Sequence, residues 1–302
     1  MLSVVPHTKR SGGIVTTSEP TEITAVGCDF LLDLLAQHGY VLLRGFTTNI
    51  DGFSRLVRQT SGRISLDPAR RFNGDTAQKV DAGTDPVGLH CENGNSPFWP
   101  ELCWFYCECE PRIGSQTTVC DGYLVYDDLR PEARAAFAGQ DIVYSRNVSE
   151  TMWKAYALHA LADQEDGPTQ LEQITVAHLQ GLMAASGEGS SVALNEDNSI
   201  YYRFRTPAIR QSAISGDTRL AFANSIFGPS YNYETPVITF ADGTPIPTDL
   251  LAEVDAVCDR HTHEVGWHTG DVVLIDNTRA MHGRRHIEDT GRIIYNALSY
   301  RA

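Results

Sequence analysis

The stretch "HTGDVVLIDNTRAMHGRRHIEDTGRIIYNALSY", residues 268–300, carries the clearest structural pattern in this chain. The run "DVVLI" is almost entirely apolar, which indicates a buried strand. Asp276 and Asn277 follow it and indicate a turn that their side chains organise by hydrogen bonds to the backbone. A second strand is predicted from residue 291, where "GRIIYNALSY" begins. The end of the chain is therefore predicted to be a β core.

Helical patterns dominate the beginning of the chain. Residues 24–38 place apolar side chains at helical spacing, and Gly39 follows as a C-terminal stop. A strand is predicted at 40–46, "YVLLRGF", and a second helix at 51–60. Helix followed by strand is the simplest interpretation of this region.

Strands outnumber helices in the middle and at the end of the chain. They are predicted at 102–110, 198–205 and 235–240. Helices are predicted at 123–137, with a break at Pro131, and within 247–264. No repeat, low-complexity block or long linker divides the sequence, so we expect one domain over 1–302, with 1–20 allowed as a flexible N-terminal segment. The pattern predicts an α+β protein with one large β core and helices packed outside it.

Composition and charge exclude several classes of partner. The chain has 302 residues, 42% of them hydrophobic and 21% charged, which is typical of a globular protein. Its formal net charge of −14 disfavours nucleic acid and anionic lipid as partners. No signal-peptide core is found, and no segment approaches the roughly 18 apolar residues of a membrane span. We therefore expect a cytoplasmic protein.

Seven cysteines raise the question of a zinc site. In "CWFYCECE" a strand would place Cys103, Cys107 and Cys109 on one face. A structural zinc site usually shows one closely spaced cysteine pair and a second pair elsewhere, and this pattern is absent. The favoured interpretation is a set of buried, reduced thiols in a cytosolic core.

The segment "GLHCENG", residues 88–94, places His90 two positions before Glu92. On an extended segment both side chains point the same way, and imidazole with carboxylate suits a non-haem iron site that needs one more histidine. With 38 acids in 302 residues, ten histidines should give about one such pair by chance, and His286 with Glu288 is a rival of identical spacing. Composition alone does not choose between them.

The context of His282 favours the first pair. His282 follows the predicted strand and turn and precedes Arg292 by ten residues. A histidine at one strand's end and an arginine on the adjacent strand can face one cavity, where a guanidinium holds a carboxylate by two parallel hydrogen bonds.

Four motifs, in order, resemble the taurine dioxygenase and clavaminate synthase-like superfamily of iron(II)- and 2-oxoglutarate-dependent oxygenases. They are "GYVLLRGF", "VGLHCENG", "PELCWFYCECEPRIGSQTTVCDG" and "WHTGDVVLIDNTRAMHGRR" followed by "GRIIYNA". The resemblance covers nearly the whole chain. It implies a double-stranded β-helix, a jelly-roll-like core with flanking helices, and oxidation of a small molecule with iron(II), 2-oxoglutarate and O₂.

Carried over residue by residue, the resemblance assigns the iron ligands to His90, Glu92 and His282. It assigns 2-oxoglutarate binding to Arg292 and Thr117, with Thr118 as the neighbour if the register is off by one. Glu92, where many relatives have aspartate, resembles the clavaminate synthase and amino-acid hydroxylase branch and disfavours halogenation.

The predicted reaction is the oxidation, most simply the hydroxylation, of an unactivated C–H bond with release of succinate and CO₂. The substrate is expected to be an amino acid, a derivative of one or a natural-product intermediate, free or tethered to a carrier. Asn296 stands where taurine-type enzymes have a second arginine, so a sulfonate substrate is not expected. A non-catalytic or zinc-loaded binding protein of the same fold is the alternative.

Two groups are candidates for substrate contacts. The segment 224–236 is rich in turn-forming residues and is a candidate lid, from which Tyr231, Asn232 and Glu234 could recognise an amine or guanidine. Arg203 and Arg205 could meet a substrate carboxylate, although a salt-bridged strand edge fits them equally well.

Overall fold

The computed structural model describes residues 1–65, 72–80, 83–162, 167–228 and 234–301. The α-helices within them are α1 (Cys28–His38), α2 (Ile50–Thr60), α3 (Gly122–Asp128), α4 (Pro131–Gly139), α5 (Glu150–Leu161), α6 (Val176–Ala185) and α7 (Thr248–His261). The strands are β1 (Leu2–Pro6), β2 (Gly13–Thr17), β3 (Tyr40–Arg44), β4 (Arg63–Ser65), β5 (Phe72–Asn73), β6 (Ala77–Lys79), β7 (Val87–His90), β8 (Leu102–Cys109), β9 (Thr117–Asp121), β10 (Ile142–Val148), β11 (Ser191–Leu194), β12 (Ile200–Thr206), β13 (Ile209–Gln211), β14 (Leu220–Phe222), β15 (Val237–Phe240), β16 (Thr262–Val265), β17 (Val272–Asp276), β18 (Ala280–Arg284) and β19 (Ile293–Tyr300).

The largest sheet has nine strands in the order β1-β2-β3-β17-β8-β19-β6-β5, and β4 also pairs with β19. Its central strands β3, β17 and β8 are largely apolar and buried because both faces of the sheet are covered. Leu31 of α1 and Phe53 of α2 pack on one face in a shared core cluster. The second sheet covers the other face.

The N-terminal segment 1–20, which the sequence analysis allows to be flexible, contains strands β1 and β2. β2 pairs in parallel with β3, and β1 pairs with β2 in an antiparallel hairpin. The β-branched run "GIVTT" of β2 has a buried partner strand beside it, which explains why it joins the sheet.

The second sheet has four strands in the order β16-β9-β18-β7. It faces the large sheet, and Phe105 and Val273 of the large sheet share a core cluster with Val119 and Val265 of the second. From β16 to β19, successive strands alternate between the two sheets. Within the described residues neither sheet closes into a barrel, and the mixed helices and sheets agree with the predicted α+β class.

The described residues of the segment 122–261, between β9 and β16, form the third layer. They contain α3 to α7, the sheet β11-β12-β10-β15 and the hairpin β13–β14, and their core cluster also includes Cys91, Cys120 and Met281. Helices α3 and α7 contact β9 and join this layer to the second sheet. The predicted helices at 24–38 and 51–60 and the strands at 40–46 and 102–110 are confirmed within a few residues.

Candidate active site

His90, Glu92 and His282 meet at the edge of the second sheet. β7 ends at His90 and β18 contains His282, and these two histidines are direct partners in the antiparallel pairing. Nε2 of His90 lies 3.6 Å from Oε2 of Glu92, and Nε2 of His282 lies 3.3 Å from the same oxygen. One ligand atom from each of the three residues lies within 4.8 Å of the others. One ion could contact all three.

The position of Glu92, which lies outside the strands, is fixed by hydrogen bonds of its backbone. It lies in the turn directly after β7, where its N–H donates to Oδ1 of Asn277 over 2.8 Å. Nδ2 of Asn277 donates back to the carbonyl of Glu92 over 3.0 Å and to that of Pro100 over 2.8 Å. Asn277 is fully buried. The side chain of Asn277 thus fixes the backbone of Glu92, and with it the direction in which the Glu92 carboxylate points.

The histidines are oriented for ligation as well. Nδ1 of His90 lies 2.9 Å from the carbonyl of Gly88, which fixes the tautomer with the proton on Nδ1 and the Nε2 lone pair toward Glu92. The ring of His282 packs edge-on against Phe105, with centroids 5.2 Å apart. Two imidazole nitrogens and a carboxylate oxygen, largely buried, fit the donor set of a non-haem iron(II) site.

A buried arginine lies near this site on the connection between β18 and β19. Nη1 of Arg292 donates to the carbonyl of Ser115 over 3.2 Å, while Nη2 is buried and makes no hydrogen bond within the described residues. Burial, with the neighbouring charge of Arg284, lowers the pKa of Arg292 to about 10. A buried guanidinium with an unused N–H donor favours the binding of a carboxylate, which would accept the hydrogen bond that Nη2 does not make within the described residues.

Thr117 lies on the same face of the second sheet as His282. In the pairing of β9 with β18, Val119 is opposite His282 and Thr117 is opposite Arg284. The Thr117 hydroxyl accepts a hydrogen bond from Nε1 of Trp267 over 3.1 Å, so its own proton remains to donate. Thr118 is opposite Gly283 and points to the other face. The alternation therefore favours Thr117 over its neighbour.

Comparisons with known proteins agree with this geometry. The family model described as taurine catabolism dioxygenase TauD, TfdA family, matches residues 7–298. The chain belongs to the TauD/TfdA family. A clavaminate synthase-like protein of Arabidopsis thaliana is 25% identical over 290 residues, which cover 88% of this chain and 83% of that protein.

Two further relatives widen the comparison. Dapdiamide synthesis protein DdaC of Enterobacter agglomerans is 23% identical over 271 residues, 85% of this chain and 80% of that protein. The crystal structure of PvcB from Pseudomonas aeruginosa superposes with a TM-score of 0.64 at 13% identity, over 100% of this chain and 91% of that one. PvcB is described as an Fe, α-ketoglutarate dependent oxygenase from an isonitrile synthetic pathway.

As a TauD/TfdA-family member, the protein is an Fe(II)- and 2-oxoglutarate-dependent dioxygenase that uses O₂. Within the described residues, no helix combines the length and the apolar character needed to cross a bilayer. His90, Glu92 and His282 form the one cluster of potential metal ligands found in that part of the chain. His286 and Glu288, the rival pair, lie outside it, and so do the cysteines, all of which are unbridged thiols. Cys109 is exposed and Cys28 is partly exposed, which corrects the expectation that these thiols are buried.

Arg284 is a residue of this site that the sequence analysis missed. It is buried, it lies opposite Thr117, and its Nη2 donates to the carbonyl of Asp85 over 2.6 Å. Its position two residues after His282 could have indicated this role. In a strand alternate side chains point to the same face, so Arg284 and His282 share a face once residues 280–284 are recognised as a strand.

The predicted substrate residues are only partly described. Tyr231 and Asn232 lie outside the described residues, and Glu234 is exposed and accepts a hydrogen bond from Nδ2 of Asn147 over 3.2 Å. The beginning of the candidate lid does lie against the site. A Cβ added to Gly228 would lie 2.3 Å from Cβ of His90, so only glycine permits this approach.

Asp289 holds the segment that presents Arg292. Its Oδ2 accepts from the N–H and Nε of Arg112 over 2.9 and 3.1 Å, and its Oδ1 accepts from the N–H of Gly291 over 2.9 Å. These hydrogen bonds lower the pKa of Asp289 to about 2. Its contribution to stability is therefore complete above its ordinary pKa of 3.8 and is lost as the pH falls through about 2.

We expect Asp289→Asn to weaken 2-oxoglutarate binding by roughly tenfold without reducing iron binding, because the Arg292 segment loses its charged anchor. The difference in stability between wild type and variant should shrink as the pH falls from about 4 to about 2. Titration with 2-oxoglutarate and acid unfolding measure the two effects. Glu288→Gln, which removes the exposed acid next in sequence, is the matched control, and an equal loss in that variant would contradict the role of Asp289.

Proposed function

We propose that His90, Glu92 and His282 hold the catalytic iron, and that Arg292 and Thr117 bind 2-oxoglutarate. The observation that carries the proposal is the approach of two imidazole nitrogens and one carboxylate oxygen to within 4.8 Å of one another. They come from two strands and a turn separated by almost 200 residues, with an amide from Asn277 fixing the turn. Such support around the ligands is typical of a built metal site.

Iron held by these three residues would supply the redox chemistry that couples decarboxylation of 2-oxoglutarate to oxidation of the substrate. The protein's own residues bind and orient. Nη2 of Arg292, which is buried and makes no hydrogen bond to the described residues, is available for the distal carboxylate of 2-oxoglutarate, and Thr117 offers its hydroxyl proton. Arg284, beside both, adds positive charge to the same pocket and so favours a dianionic co-substrate.

We assign the double-stranded β-helix expected for this family to the two facing sheets, β3-β17-β8-β19 and β16-β9-β18-β7. Successive strands from β16 to β19 alternate between them, as a jelly-roll-like core requires. The iron ligands then lie at one end of this core, and the layer of residues 122–261 lies beside them.

The proposed reaction is oxidation, most simply hydroxylation, of an unactivated C–H bond in an amino acid, an amino-acid derivative or a natural-product intermediate, with release of succinate and CO₂. Glu92 occupies the position that a halide would need, which disfavours halogenation. Asn296 is fully buried, and its Nδ2 donates to the carbonyl of Trp104 over 3.3 Å, so this position offers no cation to a sulfonate. The relatives named for dapdiamide synthesis and an isonitrile pathway support a natural-product substrate.

The test is anaerobic addition of iron(II) and 2-oxoglutarate to the purified protein. We expect the weak visible charge-transfer band of the iron chelate in the wild type and its loss in His282→Ala. Arg285→Ala, which removes an exposed arginine of the same region, should keep the band. Tight zinc, no band and no succinate release with candidate substrates would favour the binding-protein alternative.

A further inference from the structure

Ser115 lies beside the proposed 2-oxoglutarate residues in an unusual backbone conformation. Its φ is +64°, and it is fully buried. Among the described residues, the other positive φ values outside glycine belong to Asn93 and Asn198. Asparagine is enriched in this left-handed region, whereas a serine there is strained. A strained residue persists only where its surroundings hold it, so the contacts of Ser115 indicate what the strain serves.

The preceding residue, Gly114, provides a comparison. Its φ is +57°, and a Cβ added to it would meet the side chain of Glu288, so both features suit glycine. At the next position the backbone is again left-handed and glycine would relax it, yet the chain has serine. The side chain of Ser115 is therefore expected to make contacts that offset the strain.

The hydroxyl of Ser115 uses all of its hydrogen-bonding capacity. Oγ accepts the N–H of Glu288 over 3.1 Å and that of Asp289 over 3.4 Å, and it donates to the carbonyl of Ile113 over 3.3 Å. A hydroxyl has one donor and two acceptor sites, so none is left over. The hydroxyl thereby joins the loop before β9 to the segment between β18 and β19.

The backbone of Ser115 reaches the same segment. Its N–H donates to the carbonyl of His286 over 3.2 Å, and its carbonyl accepts Nη1 of Arg292 over 3.2 Å. That is the only hydrogen bond of the Arg292 guanidinium to the described residues. The buried cation is therefore held through one carbonyl, whose direction is set by the backbone conformation of Ser115.

Ser115 also lies two residues before Thr117. Between them, the carbonyl of Gln116 accepts the N–H of Arg285 over 2.9 Å, which ties the chain to β18 just before β9 begins. Both groups that are proposed to bind 2-oxoglutarate are thus placed by one residue. It holds Arg292 through a hydrogen bond and Thr117 through the chain.

We infer that Ser115 is a positioning residue that sets the length of the keto acid accepted by Arg292. Its carbonyl holds Nη1 and leaves Nη2 for a carboxylate, while its hydroxyl keeps the segment 286–292 in place. An arginine that cannot shift binds the distal carboxylate of 2-oxoglutarate and disfavours 2-oxoadipate, which is one methylene longer. The inference rests on the proposed function, because it concerns the co-substrate that Arg292 is proposed to bind.

The experiment is calorimetric titration of the Mn(II)-loaded protein with 2-oxoglutarate and with 2-oxoadipate. Mn(II) is the probe because carboxylate and carbonyl oxygens suit it and it does not start turnover. The wild type should prefer 2-oxoglutarate by about tenfold or more, as expected for one methylene in a fitted pocket. Ser115→Ala should weaken 2-oxoglutarate by about tenfold and 2-oxoadipate by less, so that the preference shrinks. Its affinity for Mn(II) should not change.

Ser115→Gly separates positioning from stability. Glycine removes the same hydroxyl but relieves the strain at a φ of +64°, so this variant should unfold at a higher temperature than Ser115→Ala. Its preference for 2-oxoglutarate should nevertheless be reduced as in Ser115→Ala. Ser212→Ala is the matched control, since Ser212 is buried and its hydroxyl also accepts two backbone N–H groups, those of Ile214 over 3.0 Å and Ser215 over 2.9 Å. That variant should lose stability and keep the preference.

A measurement on the wild type covers the case in which neither Ser115 variant folds. Before any keto acid is added, hydrogen exchange should be slow at the N–H groups of Ser115 and Glu288, because the link that holds Arg292 is already formed. Fast exchange at both groups that slows only after 2-oxoglutarate is added would overturn the inference.

The remaining outcomes separate this inference from the proposed function. Wild-type affinity and preference in both Ser115 variants, with 2-oxoglutarate lost in Arg292→Met, overturns the role of Ser115 alone. The same holds if the wild type binds both keto acids equally, or if Ser115→Gly regains the preference together with the stability. Equal binding of 2-oxoglutarate by the wild type and Arg292→Met counts against the proposed function itself, and the inference falls with it.

Discussion

Glu92→Ala is expected to abolish succinate formation and to weaken iron(II) binding by more than about a hundredfold. Loss of a residue that only hydrogen-bonds a metal ligand already costs about 10- to 100-fold in metal affinity, and loss of a ligand should cost more. The variant removes the one anionic ligand and leaves His90 and His282, two neutral imidazoles. Without the carboxylate, the charge of the metal ion is uncompensated in a largely buried site.

The fold should survive this change for a reason visible in the structure. The contacts that hold the Glu92 turn are made by its backbone N–H and carbonyl with Asn277, and alanine keeps both. Thermal unfolding of metal-free Glu92→Ala should therefore match that of the wild type. Glu92→Asp retains the ligand type on a shorter side chain and should keep part of the iron affinity. Wild-type iron content and succinate release in Glu92→Ala would contradict the assignment.

The proposed iron ligands were predicted from the order of the motifs along the chain and not from the short spacing between His90 and Glu92. His90 with Glu92 and His286 with Glu288 are equivalent as short patterns, and both histidines have an acid two positions later. The structure separates them through the pairing of β7 with β18, which places His282 directly opposite His90. Such a long-range pairing is set by the hydrophobic pattern of whole strands and is not contained in any one segment.

Residues whose roles depend on two strands at once could not be predicted. Arg284 faces Thr117 only because of the register of β9 against β18. Asn277 was expected to organise its own turn, yet its side chain holds the Glu92 turn, while Oδ1 of Asp276 accepts the N–H of Thr278 within the predicted turn. A polar side chain next to a strand can satisfy local or distant partners equally well, so the sequence leaves the choice open.

Helices α5 and α6 were missed because their apolar residues are not confined to one face. In α5 the buried positions are Trp153, Ala157 and Leu161, at helical spacing, but Met152 and Tyr156 add apolar surface on other sides. Tyr156 stacks on Phe98, whereas Met152 packs against the core cluster. A helix that serves two apolar environments loses the clear periodicity by which amphipathic helices are recognised.

Arg292→Met is expected to raise the dissociation constant of 2-oxoglutarate by at least about a hundredfold, since the loss of a buried, charged pair of hydrogen bonds costs roughly 3 kcal/mol or more. Anaerobic titration of the iron-loaded variant measures it, and iron affinity should not change. Arg292→Lys keeps the charge but not the planar fork, and should recover only part of the affinity. Arg285→Met, at an exposed arginine that pairs with Glu264, is the matched control.

The change in stability caused by Arg292→Met provides a sharper test. Replacing a buried residue usually destabilises a protein, and this replacement should not. Burial lowers the pKa of Arg292 to about 10, so the folded protein holds an unfavourable cation at every pH below that value, and the penalty disappears only as the pH rises above it. Removing the charge should therefore leave the ligand-free protein as stable as the wild type or more stable at pH 7. Added 2-oxoglutarate should stabilise the wild type and not the variant. A variant that is destabilised without ligand, and still stabilised by 2-oxoglutarate, would show that Arg292 supports the fold and that another group holds the co-substrate.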